Sequence, residues 1–137
     1  GLDLEGFGPR VAAERMGTAP KNISPAHHVK KGTPPAIVFH GKADTTVPYA
    51  TADAFARAMK AAGNRCELVG FEGQPHGFFN FGRGDNSNYH ATLVATDRFL
   101  ASLGWLQGEP TLAKPPASTA KAAASTAPAR QKRQTKP

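Results

Sequence analysis

A short apolar strand, a helix and a second strand follow one another between residues 36 and 71, and this order constrains the fold more than any other feature. Residues 36–40 form a continuous apolar run, AIVFH, which is typical of a strand covered on both faces. Residues 66–71 form the second predicted strand. A helix of about 14 residues between them provides the crossover that two parallel strands need. The order therefore predicts an α/β fold with a parallel strand pair.

The helix is predicted to begin after Pro48 and to stop at Gly63-Asn64, a pair that favours a left-handed cap. Its apolar positions recur every three or four residues, at Ala52, Phe55, Met59 and Ala62. A closing amphipathic helix is predicted between Tyr89 and Leu103, ending at Gly104. We expect Trp105 and Leu106, which follow it, to pack back on the body of the domain.

The composition changes sharply near residue 108. Residues 108–137 are rich in Ala, Pro, Ser, Thr and Lys and hold six of the 17 Lys and Arg residues, but only one of the ten acidic residues. Such a segment buries too little apolar surface to offset its ordering entropy, so we expect a disordered basic tail. The predicted divisions are an irregular lead-in with a short helix over 1–35, an α/β unit over 36–107, and the tail over 108–137.

Two residues that follow the predicted strands can carry hydrolytic chemistry. Asp44 lies four residues beyond the first strand, and His76 lies in a glycine-flanked loop beyond the second. Adjacent parallel strands bring their carboxy-terminal loops together, at the edge where open α/β sheets bind ligands. An acid that precedes a histidine is the order found in α/β-hydrolase triads. The alternatives are that Asp44 only caps the helix and that His76 is an ordinary loop histidine.

Two motifs in this region resemble a known family. PPAIVFHGKADTTVP at residues 34–48 is similar to the penultimate strand and acid loop of α/β-hydrolases, and EGQPHGF at residues 72–78 is similar to their histidine loop. The resemblance covers residues 20–106 and extends to acetyl-esterase and lipase-like, prolyl oligopeptidase-type and dienelactone hydrolase-like enzymes. It implies the last two parallel strands of the sheet with flanking helices. It also implies that Asp44 is the triad acid and His76 the general base.

The third member of such a triad is missing from the sequence. No serine lies in a Gly-x-Ser-x-Gly frame, and the oxyanion-hole motif that precedes it is absent. Ser24, Ser87 and Ser102 are interpreted as turn or surface residues. Cys66 begins a strand at the end away from the site loops. The chain starts with a glycine, so we expect a carboxy-terminal part of a longer serine hydrolase that is inactive alone.

These observations favour a serine hydrolase that cleaves a small carboxylic ester. A prolyl oligopeptidase-type peptidase is the first alternative, and a non-catalytic remnant that acts as an interaction module is the second. We expect no cofactor, and the adjacent His27 and His28 fall short of a metal ligand set. The tail lacks aromatic residues, so nucleic-acid binding is not expected and a contact with an anionic partner is the lesser interpretation. No apolar run approaches membrane-spanning length.

Overall fold

The computed structural model of the protein describes Leu4 and residues 13–112. Its helices and strands follow in the order α1, β1, α2, β2 and α3, with two short 3₁₀ turns between α1 and β1. Their bounds are Ala13–Met16 for α1, Pro20–Asn22 and Pro25–His27 for the turns, Ala36–Gly41 for β1, Tyr49–Ala61 for α2, Cys66–Phe71 for β2 and Ser87–Ser102 for α3.

The two strands form a parallel pair, which confirms the prediction. Ala36 lies opposite Cys66, and the register continues without interruption to Gly41 opposite Phe71. Helix α2 makes the crossover between them. Because the strands run in the same direction, the segments that follow Gly41 and Phe71 leave the same edge of the sheet. This arrangement brings the two predicted site loops side by side.

The core lies between α2 and one face of the sheet. Met59 is fully buried, and Phe55, Ala56 and Cys66 cluster with it. Val38 and Leu68 of the two strands pack against this cluster. The predicted three- and four-residue spacing therefore marks the buried face of α2, as expected for an amphipathic helix on a sheet.

The ends of α2 follow the predicted signals. Pro48 occupies the position before the helix, and its carbonyl accepts the Thr51 hydroxyl at 2.9 Å. Gly63 adopts a φ of +75° just beyond the last turn, a conformation that favours glycine. The Asn64 side chain then bonds to the lead-in, donating to the Lys30 carbonyl at 2.8 Å. These bonds fix the start of β2.

Helix α3 contacts the rest of the domain near both of its ends. Phe99 is buried on the sheet side, and the Arg65 guanidinium lies 4.7 Å from its ring centroid. At the other end of the helix, the Asn88 side-chain amide donates to Gln74 Oε1 at 3.1 Å. This bond links the first turn of α3 to the loop that carries His76.

One expectation about packing is wrong, because Trp105 is 68% exposed and Leu106 is exposed as well. The Trp105 N–H donates to the Leu100 carbonyl at the end of α3. Ser24, interpreted as a turn or surface residue, lies between the two 3₁₀ turns, is fully buried and accepts a hydrogen bond from the Leu4 N–H at 2.9 Å. A short polar side chain in a turn satisfies the buried backbone there.

The predicted division of the chain is only partly covered. The expected disordered tail falls mostly on residues 113–137, which lie outside the described residues, as does most of the segment before residue 13. Within the described part of the chain, no helix is long and apolar enough to cross a membrane.

Candidate functional site

The loops that follow β1 and β2 are held together by backbone hydrogen bonds. The Lys42 N–H donates to the Phe71 carbonyl at 2.9 Å, and the Ala43 N–H donates to the Gln74 carbonyl at 3.1 Å. Gly41 permits this approach, because a Cβ at that position would lie 2.2 Å from the Gln74 carbonyl oxygen. The close contact of the loops sets the distance between the two predicted site residues.

Asp44 is held rigidly in a turn before α2. Its Oδ1 accepts hydrogen bonds from the backbone N–H groups of Thr46 and Val47, both at 2.8 Å. The side chain is only 5% exposed. Burial raises the pKa of this carboxyl, but the Val47 N–H, the His76 side chain and the Thr46 N–H together lower it below its ordinary value of 3.8. The group is therefore a carboxylate at neutral pH.

His76 lies next to the second oxygen of that carboxylate. Its Nδ1 is 2.8 Å from Asp44 Oδ2 and donates to it, since a carboxylate only accepts. Gly77 follows with a φ of +68°, which turns the chain sharply after the histidine. The His76 side chain is 56% exposed, in contrast to the buried acid. The two predicted site residues are thus brought into direct contact.

This pair has the geometry of a general base and its orienting acid. With Nδ1 held by Asp44, Nε2 is the nitrogen of His76 that remains to take a proton. The carboxylate fixes the tautomer and stabilises the imidazolium that proton transfer creates. Such an arrangement can accept a proton from a nucleophile, but the pair does not itself provide one.

A cleft of about 190 Å³ lies beside the pair and is lined by both residues. Phe78 and Phe79 form an apolar wall, with Phe78 buried against Phe71 and Phe79 more open to solvent. The remaining lining side chains are Phe39, His40, Asn80 and Arg83. The cleft combines a proton acceptor with aromatic surface, as small-molecule sites commonly do.

No serine of the described residues lines this cleft. Ser24 is buried in the lead-in, and Ser87 and Ser102 lie at the two ends of α3. Cys66 begins β2, at the end of the strand away from the cleft, and burial raises the pKa of its thiol. A buried thiol with a raised pKa is a poor nucleophile. The described residues therefore hold a paired carboxylate and imidazole, and no serine or thiol nucleophile beside them.

Three cleft residues were not identified from the sequence. His40 lies four residues before Asp44. This spacing is visible in the sequence, but the contact between the two side chains depends on the geometry of the turn that joins them. Asn80 and Arg83 lie in the loop after His76 and line the cleft, although nothing in their spacing indicates this. Among the described residues, no group of three or more His, Cys, Asp or Glu side chains is placed to hold a metal ion.

Comparison with known proteins identifies the family. Residues 11–102 match the model of the prolyl oligopeptidase family. No curated protein shows significant similarity to the chain.

Similar solved structures come from a thermophilic esterase of the planctomycete Thermogutta terrifontis, esterase 2. The propionate-bound structure is 59% identical, with a TM-score of 0.69, and the matched region covers 72% of this chain and 36% of the esterase chain. The butyrate-bound structure is 53% identical, with a TM-score of 0.70, and its matched region covers 80% of this chain and 42% of the esterase chain. The structure of the esterase phosphorylated by paraoxon is 60% identical, with a TM-score of 0.68, and its matched region covers 70% of this chain and 37% of the esterase chain.

The chain thus spans little more than a third of the first of these solved esterase chains. The family match covers most of its described residues and includes both loops of the site. The paired strands, the acid and histidine loops and this match together make the chain a member of the prolyl oligopeptidase family, related to esterases of the α/β-hydrolase fold.

Proposed function

We propose that this chain supplies the acid and the general base of a serine esterase that cleaves short acyl esters. The observation that carries the proposal is the 2.8 Å hydrogen bond from His76 Nδ1 to the buried carboxylate of Asp44. A histidine whose tautomer is fixed in this way, at the edge of a cleft, has the requirements of a triad base.

The reaction proceeds in two halves. In the first, a serine hydroxyl attacks the ester carbonyl while His76 Nε2 takes its proton, and the negative charge of Asp44 stabilises the imidazolium. The imidazolium then protonates the departing alkoxide, which leaves an acyl-serine. In the second half, His76 takes a proton from water, the resulting hydroxide attacks the acyl-serine, and the proton returns to the serine oxygen as the carboxylic acid leaves.

The proposal places the serine and the oxyanion hole in residues outside these 137. This chain covers only 36% of the propionate-bound esterase chain, and the described serines lie away from the cleft. The full site would then form in a longer gene product, from which this chain provides the last two strands and their loops. The chain alone lacks the nucleophile and is expected to be inactive.

The substrate proposal is an ester with a short acyl group. The related esterase was solved with propionate and with butyrate bound, which are the acids that short acyl esters release. In this chain, Phe78 and Phe79 provide an apolar wall beside His76 that suits a short alkyl chain.

A peptidase is the second candidate, because the family that matches the chain is named for prolyl oligopeptidases. The sequence identity of more than one half to an esterase favours ester hydrolysis. The two candidates differ in the leaving group that His76 protonates, an alkoxide in the ester and an amine in the peptide.

Hydrolysis by the longer gene product tests the proposal. With p-nitrophenyl butyrate, we expect turnover that falls by about 10⁴-fold in His76→Ala, because a triad without its base retains only binding and oxyanion stabilisation. The matched control is His28→Ala, an exposed histidine that does not line the cleft. Equal activity in His76→Ala would exclude the proposed base. Faster turnover of a prolyl p-nitroanilide than of the ester would favour the peptidase.

A further inference from the structure

His40 is a second histidine beside the Asp44 carboxylate. Its Nε2 lies 4.0 Å from Asp44 Oδ2, the same oxygen that accepts the hydrogen bond from His76. The other carboxylate oxygen is already occupied by two backbone N–H groups. Oδ2 is therefore the oxygen that lies between the two imidazole rings.

The orientation of the His40 ring is fixed from two sides. Its Nδ1 lies 3.0 Å from the Gly41 carbonyl oxygen, and the ring of Tyr49 packs against it edge to face at 5.6 Å. The Tyr49 hydroxyl lies against Gly70, in the space that a Cβ at this position would need. The His40 side chain is 12% exposed, far less than that of His76.

The contact with Gly41 determines which nitrogen of His40 carries the proton. A carbonyl oxygen only accepts, so Nδ1 must donate, and the neutral ring presents an unprotonated Nε2 toward Asp44. Uptake of a proton at Nε2 converts this contact into an ion pair with the carboxylate. Lys42 lies over Tyr49 and is paired with Glu72, whereas Arg83 and His76 line the same cleft as His40. The Asp44 carboxylate is the charged group that lies 4.0 Å from His40 Nε2.

We propose that His40 is a positioning residue that shares Asp44 with His76 and, when protonated, competes with His76 for Oδ2. A positive charge at His40 offsets the negative charge that stabilises the His76 imidazolium, so the base becomes weaker. The catalytic consequence rests on the proposed function, whereas the sharing of the carboxylate does not. Protonation of either histidine would then lower the hydrolytic rate.

Long-range ¹H–¹⁵N correlation spectra of the labelled 137-residue chain test the sharing without any hydrolysis. We expect neutral His40 to carry its proton on Nδ1, and the His76 signals to move in two steps as the pH is lowered within the range above 3.8, in which Asp44 stays ionised. In His40→Phe, which keeps a ring against Tyr49, the His76 signals should move in one step. His40→Asn is a second variant that retains a donor for Gly41 and should also give one step.

The control for these spectra is His27→Gln, an exposed position that does not line the cleft, and two steps should persist in it. A proton on Nε2 of neutral His40, or two steps in both His40 variants, would overturn the proposal.

The pH profile of ester hydrolysis by the longer gene product gives an independent readout. On the acid side, the logarithm of kcat/KM should fall with a slope approaching about 2, and with a slope of about 1 in His40→Phe, because one inhibitory proton is removed. A slope of about 1 in both proteins contradicts the proposal. Absence of any hydrolysis would count against the proposed function, and the spectra would still decide whether the carboxylate is shared.

Discussion

At the level of single residues, Asp44 and His76 are placed very differently. The acid is buried and receives three hydrogen bonds, whereas the base is more than half exposed at the edge of a cleft. A buried acceptor with fixed donors holds its position, so the imidazole it binds is oriented before substrate arrives. This division of roles is what a positioned general base requires.

Substitution of Asp44 should make stability depend on pH in a defined direction. The folded-state pKa lies below 3.8, so the carboxylate contributes stability that is fully present above that pH and is lost as the pH falls through the folded-state pKa. At pH 7, Asp44→Asn should lower the free energy of unfolding by about 1–2 kcal/mol, because the bond from His76 loses its charged acceptor. The difference should shrink as the pH is lowered below 3.8.

Urea unfolding of the chain at several pH values measures this difference. The control is Asp53→Asn, which removes an exposed i,i+4 ion pair with Arg57 and should change the free energy of unfolding by no more than about 0.5 kcal/mol. A difference for Asp44→Asn that grows toward low pH would contradict the assignment.

At the scale of helices and strands, the sequence was sufficient for β1, α2 and β2. Their apolar spacing and the stop at Gly63 are local signals, and the structure follows them to within a residue or two. The contact between the two loops was predictable from the parallel order. The burial of Ser24 and the exposure of Trp105 were not, because local sequence signals do not show which distant groups meet, such as the Leu4 N–H that donates to the Ser24 hydroxyl.

Gly41 is predicted to be essential for the approach of the two loops. Alanine at this position would place its Cβ 2.2 Å from the Gln74 carbonyl oxygen, so the loops must separate. We expect Gly41→Ala to lower the free energy of unfolding by about 1–3 kcal/mol. Gly63→Ala is the comparison, since nothing lies within 4 Å there and the cost comes only from its positive φ, about 1 kcal/mol.

Thermal unfolding of the two variants, combined with the downfield proton signal of His76 Nδ1, distinguishes these effects. Gly41→Ala should weaken or shift that signal, and Gly63→Ala should leave it unchanged. An undisturbed signal in Gly41→Ala would show that the loop approach does not set the pair.

The packing of α2 on the sheet depends most on Met59, which is fully buried. Met59→Ala should lower the free energy of unfolding by about 2–5 kcal/mol, because it removes apolar contacts and leaves a cavity. Met16→Ala, at a position that is 43% exposed, should have an effect within about 0.5 kcal/mol. Chemical denaturation measures both, and similar losses in the two variants would argue against the described core.

At the scale of the whole molecule, the described residues bring a carboxylate and an imidazole together without a serine beside them. The described sheet has two strands, and the side of β1 away from β2 lines an open groove with Val47, Ala52 and Phe79. The sequence predicted that Asp44 and His76 meet, because each follows a strand in a recognisable loop. It did not predict that Asn80 and Arg83 line the cleft, because their positions depend on how the loop after His76 folds back.

The 137-residue chain is therefore predicted to hydrolyse p-nitrophenyl acetate no faster than free imidazole at the same concentration. A base without a nucleophile or an oxyanion hole lacks the groups that provide most of the rate acceleration. Initial rates of the purified chain and of its His76→Ala variant measure this directly. Turnover that is abolished in His76→Ala would show that the chain is catalytic by itself.

Covalent labelling is the most direct test of the proposal that Asp44 and His76 activate a serine outside this chain. Paraoxon transfers its diethyl phosphoryl group to an activated serine, and peptide mass spectrometry of the longer gene product locates the adduct. We expect one adduct, on a serine outside residues 1–137, that forms at least about 10³-fold more slowly in His76→Ala and at the normal rate in His28→Ala. An adduct within these 137 residues, or equal labelling rates in His76→Ala and the unmodified protein, would contradict it.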